Sequence, residues 1–406
     1  MDKLQAKTCE SDGGDLHDVN NWASSFQTLF AHCQKQLRVM SPCCGLNGPG
    51  RALLALGILW TSTGDYDINI ALHTVMEQLS PGHAFCGKHV GDLTKVPLES
   101  LDLETELLIA GPPCPPFSTI GKGLGELDPR SHIFLTVMQW IIYLATKGQL
   151  CMFILENVVG IAKRQLGAPP FLAWVEAELQ SALPAGWLVV VKRANALNAS
   201  LPQNRERVFI TGYTPRMIAT EFQKRIVQQP LPSLPPVDIT IIVEKTACPS
   251  DWNCATLKQK MNVTVQQEKF EEARSLDHSL SEIAVTDCSR DPDGQVDSQL
   301  SIGHFRTLRT NCSDLWLLPG TSYWKSVIGP HGRRATRAEK AWASGFDPSC
   351  LASLSNAEFE KAIGSTIPVP LAGVILIPML RAWMHSHRSV SLESSSSTDS
   401  LTAETL

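Results

Sequence analysis

Short apolar runs alternate with longer stretches of helical spacing through the first half of the chain. Leu37 to Ser41, Ile58 to Ser62, Leu107 to Ala110 and Cys151 to Leu155 are too short for helices and predict buried strands. Trp22 to Gln36 predicts a leading helix, and Arg51 to Leu56 predicts a second that stops at Gly57. A further helix through His73 and Met76 leads to a strand end at Gly91-Asp92. Asp128-Pro129 opens another, because Asp caps and Pro fits the first turn; it runs through Trp140 and Tyr143 to about Gly148. Trp187 to Lys192 and Arg207 to Tyr213 predict a strand pair flanking a loop at Gln203. Strand, helix and strand in repeated order argue for an α/β fold with a doubly wound sheet.

After Pro215 the pattern weakens. Prolines cluster at Pro230, Pro232, Pro235 and Pro236, and 216–330 predicts a smaller, irregular domain. Alternation resumes at Arg333, so 331–388 is expected to rejoin the larger domain of 37–215. Residues 1–36 form an N-terminal extension whose polar, acidic start predicts disorder and no targeting peptide, and 389–406 a disordered serine-rich tail. Val369 to Leu380 is the longest apolar run near the C-terminus, roughly 12 residues against the about 20 that span a bilayer, so no membrane is expected. The chain has 406 residues, 43% of them hydrophobic, and a net charge of −5, so a nucleic acid must be met by a local basic surface. Twelve cysteines without paired spacing predict reduced thiols inside a cell. Cys248, Cys254, Cys288 and Cys312 lack Cys-x-x-Cys spacing, so no metal is expected.

Three motifs carry chemistry. Gly111-Pro112-Pro113-Cys114-Pro115-Pro116-Phe117-Ser118 puts a cysteine on a rigid turn at the end of a strand, where open α/β sheets bind ligands. Leu155-Glu156-Asn157-Val158 ends a second apolar run, and Gln203-Asn204-Arg205-Glu206-Arg207 follows. In this order, each at a strand end, they resemble the DNA cytosine-5-methyltransferase family. The resemblance covers roughly 37–215 and 330–385, with the family's target-recognition domain falling at 216–330. It implies a Rossmann-like sheet that binds S-adenosylmethionine, and DNA as the partner of a monomer. Gly45, Leu46, Asn47 and Gly48 match the cofactor loop. Asp65 matches the acid that holds the ribose, and Tyr66 follows where adenine is stacked. Asp92, with Leu93, matches the carboxylate at the adenine amino group; Pro112 also belongs to the cofactor site, and Ser365 falls at the methionine end. The sequence departs from the pattern at Cys43 (usually Phe), Asn47 (Gly), Pro115 (Gln), Arg337-Ala338 (Pro-Arg) and Ser365 (Asn). Asn tolerates positive φ best of the non-glycine residues, so the turn can survive.

The implied chemistry is covalent. C5 of cytosine is a poor nucleophile until a thiolate adds to C6, the role of Cys114. Glu156 shares a proton with N3 and binds the 4-amino group, which calls for partial burial. Arg205 and Arg207 supply fixed positive forks, one for the cytosine carbonyl or Glu156 and one for a phosphate; the resemblance makes Arg205 the base-facing one. The base must leave the stack, with the loop from Ser118 to Gly125 closing behind it. Gln203 supports the site, and Arg306 and Arg309 suit base edges and phosphates. Two other readings keep the fold: a tRNA cytosine methyltransferase, and a silent DNA-binding homologue, suggested by the departures. The activity belongs in the nucleus of a eukaryote or the cytoplasm of a bacterium.

Overall fold

The computed structural model describes residues 21–69, 71–79, 92–113, 131–163, 169–245, 250–288, 300–310 and 314–396. The expected strand end at Gly91, the cap at Asp128-Pro129, the disordered start at 1–20, residues 397–406 of the tail, Cys114 and the loop from Ser118 lie outside them, whereas 389–396, expected to be disordered, continue the C-terminal helix Val369–Ser396.

The larger sheet is six-stranded. Its strands are β1 (Leu37–Pro42), β2 (Trp60–Tyr66), β3 (Leu107–Ala110), β4 (Met152–Val158), β5 (Leu188–Asn195) and, after the short β6 (Gln203–Asn204), β7 (Glu206–Tyr213). The order is β2-β1-β3-β4-β7-β5. The first four strands are parallel, and β7 lies antiparallel to both β4 and β5. Both faces are covered, which is why the parallel strands read as unbroken apolar runs. Leu107, Ile109, Met152 and Ile154 point to one face, against helices Gly48–Ala55 and Val369–Ser396. Leu108, Ala110, Phe153 and Leu155 point to the other, against Ser131–Lys147 and Phe171–Ala182. Each strand thus contributes to both cores, following the period of two.

The C-terminal segment differs from its sequence reading. The run Asn356–His387 is long and apolar enough, by length and composition, to cross a membrane, yet 89% of its most apolar window is buried inside the fold. The chain after Pro215 also differs. Helix Glu221–Gln228 and the turn after it bury Val227, Ile239, Ile242 and Val243 in the same core as the C-terminal helix. The smaller domain is regular rather than irregular. Strands β8 (Ile283–Asp287), β9 (Leu300–Ile302), β11 (Leu315–Pro319) and β12 (Arg333–Arg334) form an antiparallel sheet, order β12-β11-β8-β9. Its edge therefore reaches past residue 330. Helix Leu257–Leu276, opened by a Thr256/Gln259 capping box, packs on it through Val263 and Phe270. Asn262 and Gln266 are buried on the same helix, and this mixture of polar and apolar buried positions hid the helix from periodicity.

Two contacts join the chain of the smaller domain to the segments before and after it. Strand β10 (Phe305–Arg306) runs parallel to β6, pairing Phe305 with Gln203 and Arg306 with Asn204. Arg333 of β12 donates to Glu339 through both terminal nitrogens, at 3.0 and 2.6 Å, with the two side chains 1% and 0% exposed. Glu339 also accepts from the main-chain N–H groups of Glu244 and Thr336. Removing one partner of such a pair leaves the other charge uncompensated. Glu339→Gln should therefore cost about 3–5 kcal/mol in urea unfolding, and a midpoint unchanged from wild type would refute this role.

Candidate active site

The carboxyl ends of the parallel strands converge on a cleft of about 1560 Å3, walled in part by Gly45, Tyr66, Pro113 and Glu156. Strand β1 passes the chain to β2 on one side while β3 lies on the other. Ligands of open α/β sheets bind at such a reversal.

The turn after β1 forms one end of the cleft. Cys43, Gly45 and Asn47 have φ of 57°, 54° and 49°, so three positions in five are left-handed. Asn47 meets the expectation of tolerance in a specific way. Its Oδ1 accepts from the Gly50 N–H at 3.1 Å, capping helix Gly48–Ala55, and its Nδ2 donates to Asp65 Oδ1 at 3.4 Å. Gly48 admits no side chain, because a Cβ there would lie 1.9 Å from the carbonyl oxygen of Ile367. The closing block around Ser365 thus sits directly on the loop.

Six of the expected cofactor residues reach the cleft wall: Gly45, Tyr66, Asp92, Leu93, Pro112 and Ser365. The other four, Leu46, Asn47, Gly48 and Asp65, lie beneath it and are buried. Asp65 is 0% exposed and faces Asn47. Asp67 lies on the wall, and its carboxylate accepts from the Gly45 N–H at 2.9 Å and the Asn69 N–H at 2.9 Å. Strand β2 runs to Tyr66 rather than ending at Ser62, so Asp65 belongs to the strand and Asp67 is the first residue beyond it. Tyr66 is edge-on to Trp140, with ring centroids 5.0 Å apart. The Thr94 hydroxyl and N–H donate to Asp92 at 2.7 and 3.1 Å and hold its carboxyl below the usual range. The Ser365 hydroxyl turns back to its own helix, donating to Lys361 O at 2.8 Å.

At the other end Glu156 is 3% exposed, with Oε1 2.8 Å from Arg207 Nε. The Nε–H is not aligned on that oxygen, so charge rather than a directed hydrogen bond holds the pair. Asn157 Nδ2 donates to Pro112 O at 3.5 Å and Asn157 Oδ1 accepts from the Val158 N–H, tying the ends of β3 and β4. Pro113 is on the wall, and Cys114 follows it in the chain.

Arg205 is placed differently from the sequence reading. Its guanidinium donates to the carbonyls of Leu308 (3.0 Å), Gly364 (3.1 Å) and Thr366 (2.8 Å), and the residue is 2% exposed. Arg207, not Arg205, reaches Glu156. Residues two apart share a face only along one continuous strand, and the chain breaks between β6 and β7 at Arg205. Gln203 is also an anchor, donating to Ala343 O at 3.0 Å and Ser344 Oγ at 3.2 Å. From the smaller domain Arg306 and Arg309 line the cleft, with Arg309 paired to Asp287 at 2.8 Å.

A family model for the C-5 cytosine-specific DNA methylases matches residues 80–380. The chain belongs to that family. The type II methyltransferase M.NgoBI of Neisseria gonorrhoeae is 25% identical to this methylase over 287 residues, which is 71% of this chain and 77% of that protein. M.HaeII of Haemophilus aegyptius is 33% identical over 142 residues, 35% of this chain and 41% of that protein. In fold the methylase is similar to Spodoptera frugiperda DNMT2 (TM-score 0.54, 14% identity, covering 84% of this chain and 99% of that one). A prophage-encoded methyltransferase of E. coli is alike in fold (TM-score 0.53, 16% identity, 86% and 99% covered). The methylase is thus a DNA cytosine-5-methyltransferase with a Rossmann-like α/β sheet.

Burial pushes the Asp65 carboxyl up to about 6, against opposing bonds from Ser62 and Ser41. Between the ordinary carboxyl range and pH 6 the unfolded chain has lost this proton and the native state still holds it. Stability therefore falls as pH rises through that window, by about 3 kcal/mol. Asp65→Asn should flatten this fall in denaturant unfolding at pH 4 to 7; an unchanged slope would count against the assignment. Arg205→Ala should lose about 4 kcal/mol or more, because three carbonyls lose a charged donor. Arg205→Lys should recover little of it, since one ammonium cannot reproduce the fork; calorimetric melting of both variants measures this.

Proposed function

We propose that this methylase transfers a methyl group from S-adenosylmethionine to C5 of cytosine in DNA through a covalent bond between Cys114 and C6. The observation that carries the reading is the buried Glu156–Arg207 pair, on the same cleft as Pro113 and the left-handed cofactor turn. Nothing in a structural core calls for an ion pair of this kind at the mouth of a strand-end cleft.

The cleft fits the donor. Asp67 and Asp92 present carboxylates that accept from hydroxyl and amino groups, the donors a ribose and an adenine offer. Gly45 and Gly48 keep the turn free of side chains where the chain passes closest to the closing block. When bound, S-adenosylmethionine supplies an electrophilic methyl group.

The protein's own residues prepare the base. Cys114, as thiolate, adds to C6 while Glu156 bonds N3 and the 4-amino group, drawing electrons from the ring. Arg207 holds Glu156 in place and lies where it can reach the cytosine carbonyl oxygen. Loss of the C5 proton to a base and of the Cys114–C6 bond restores the enzyme. The target is flipped out of the duplex to reach this depth. Arg306 and Arg309 meet the DNA from the far wall of the cleft. The bacterial origin of the relatives favours the cytoplasm as its place of action.

Labelled methyl groups should pass to cytosine-containing DNA with intact protein and not with Cys114→Ser. Glu156→Gln should be slower by about 100-fold or more, and Arg207→Lys should lose activity while melting near wild type. Equal transfer by Cys114→Ser would sink the proposal.

A further inference from the structure

His304 stands on the far wall of the cleft between β9 and β10, after Gly303 at a φ of 78°. Ser301 and Arg306 line the wall beside it. Its Nδ1 lies 2.9 Å from the carbonyl oxygen of Ile302. A carbonyl only accepts, so Nδ1 carries the proton and donates. In the neutral ring Nε2 is then a bare lone pair, and among the described residues it has no hydrogen-bond partner. Burial favours the neutral ring, as does the nearby charge of Arg306, against the Ile302 bond and Asp238.

An outward lone pair repels phosphate and carbonyl oxygens alike. The donors that DNA presents in its grooves are few: the amino groups of adenine and cytosine in the major groove, and of guanine in the minor. We propose that His304 Nε2 accepts a hydrogen bond from the exocyclic amino group of a base flanking the target cytosine, and so sets sequence preference at that one position. The placement is not free to drift. Strand β10 begins at the next residue and pairs with β6, which runs directly into Arg205 and Arg207. The reading atom is thereby held at a fixed offset from the Glu156–Arg207 end of the cleft. The inference rests on the proposed methylation of DNA cytosine.

The test is bisulfite sequencing of duplex DNA with randomised flanks after incubation with protein and S-adenosylmethionine. Wild type should prefer one base pair at one flanking position, the one that places its amino group at His304 Nε2. His304→Asn keeps a donor for Ile302 O and deletes Nε2, so the preference at that position should fall on the order of tenfold with other positions unchanged. His304→Phe, which keeps the ring plane without nitrogens, should lose the same preference and serves if the Asn variant does not melt cooperatively. His304→Gln places an amide oxygen near the same spot and should retain it. A wild type with no preference among the four base pairs at any flanking position, or identical profiles for wild type and both nitrogen-deleted variants while cytosine is still methylated, overturns the assignment of His304 alone. A wild type that methylates no cytosine overturns the proposed function and the inference with it.

Discussion

Three main-chain carbonyls from two distant parts of the chain converge on the guanidinium of Arg205. Leu308 follows β10 of the smaller domain, whereas Gly364 and Thr366 belong to the block that closes over the cofactor turn. A planar fork with donors in fixed directions can serve all three at once, which no other side chain can. Each bond from a charged donor contributes about 1.5–3 kcal/mol, and its loss would leave a carbonyl unpaired in a buried place. Gln203 does similar work two residues earlier by holding the Ala343-Ser344 stretch. The opposed walls of the cleft are therefore spaced from one short segment. The chemistry proposed for Glu156 and Arg207 depends on that spacing, because its target would enter between the walls.

Much of this was legible before any coordinates. Strands β1, β3 and β4 announce themselves as apolar runs because helices cover both of their faces. The candidate chemistry was legible for a related reason: Glu156 and the Pro112-Pro113 turn end such strands. What failed to show was governed by tertiary partners. Helix Leu257–Leu276 buries Asn262 and Gln266 beside Val263 and Phe270, so no apolar stripe marks it. Arg205 and Arg207 look equivalent in sequence, and only the interruption between β6 and β7 sends one to the frame and the other to the site. The last residues of β2 are polar and resemble a turn, so the burial of Asp65 beneath the cleft does not show in the sequence.

The turn after β1 shows how a departure from a family pattern can be absorbed. Asn47 occupies a left-handed position that costs a non-glycine residue about 1–2 kcal/mol. Its side chain offsets this by capping the following helix and by donating to Asp65. A glycine there could do neither. The arrangement carries its own tension, since it keeps a carboxyl under the loop in a place that resists ionisation. Asn47 and Asp65 are thus one unit, and the departure at Asn47 is compatible with an intact turn.

The Glu156–Arg207 pair is instructive for what it leaves undone. A bidentate, aligned fork would satisfy the carboxylate and fix it as a structural ion, as Arg333 does for Glu339. Here the approach is 2.8 Å but misaligned, through a single nitrogen. The carboxylate is held in position while retaining acceptor capacity toward the cleft. A site of this kind is preorganised for a ligand that completes it, and the cost of leaving it incomplete is borne by the folded frame around it. The contrast between the two arginine–glutamate pairs, one closed on itself and one open, separates a scaffold pair from a pair suited to the proposed reaction on physical grounds.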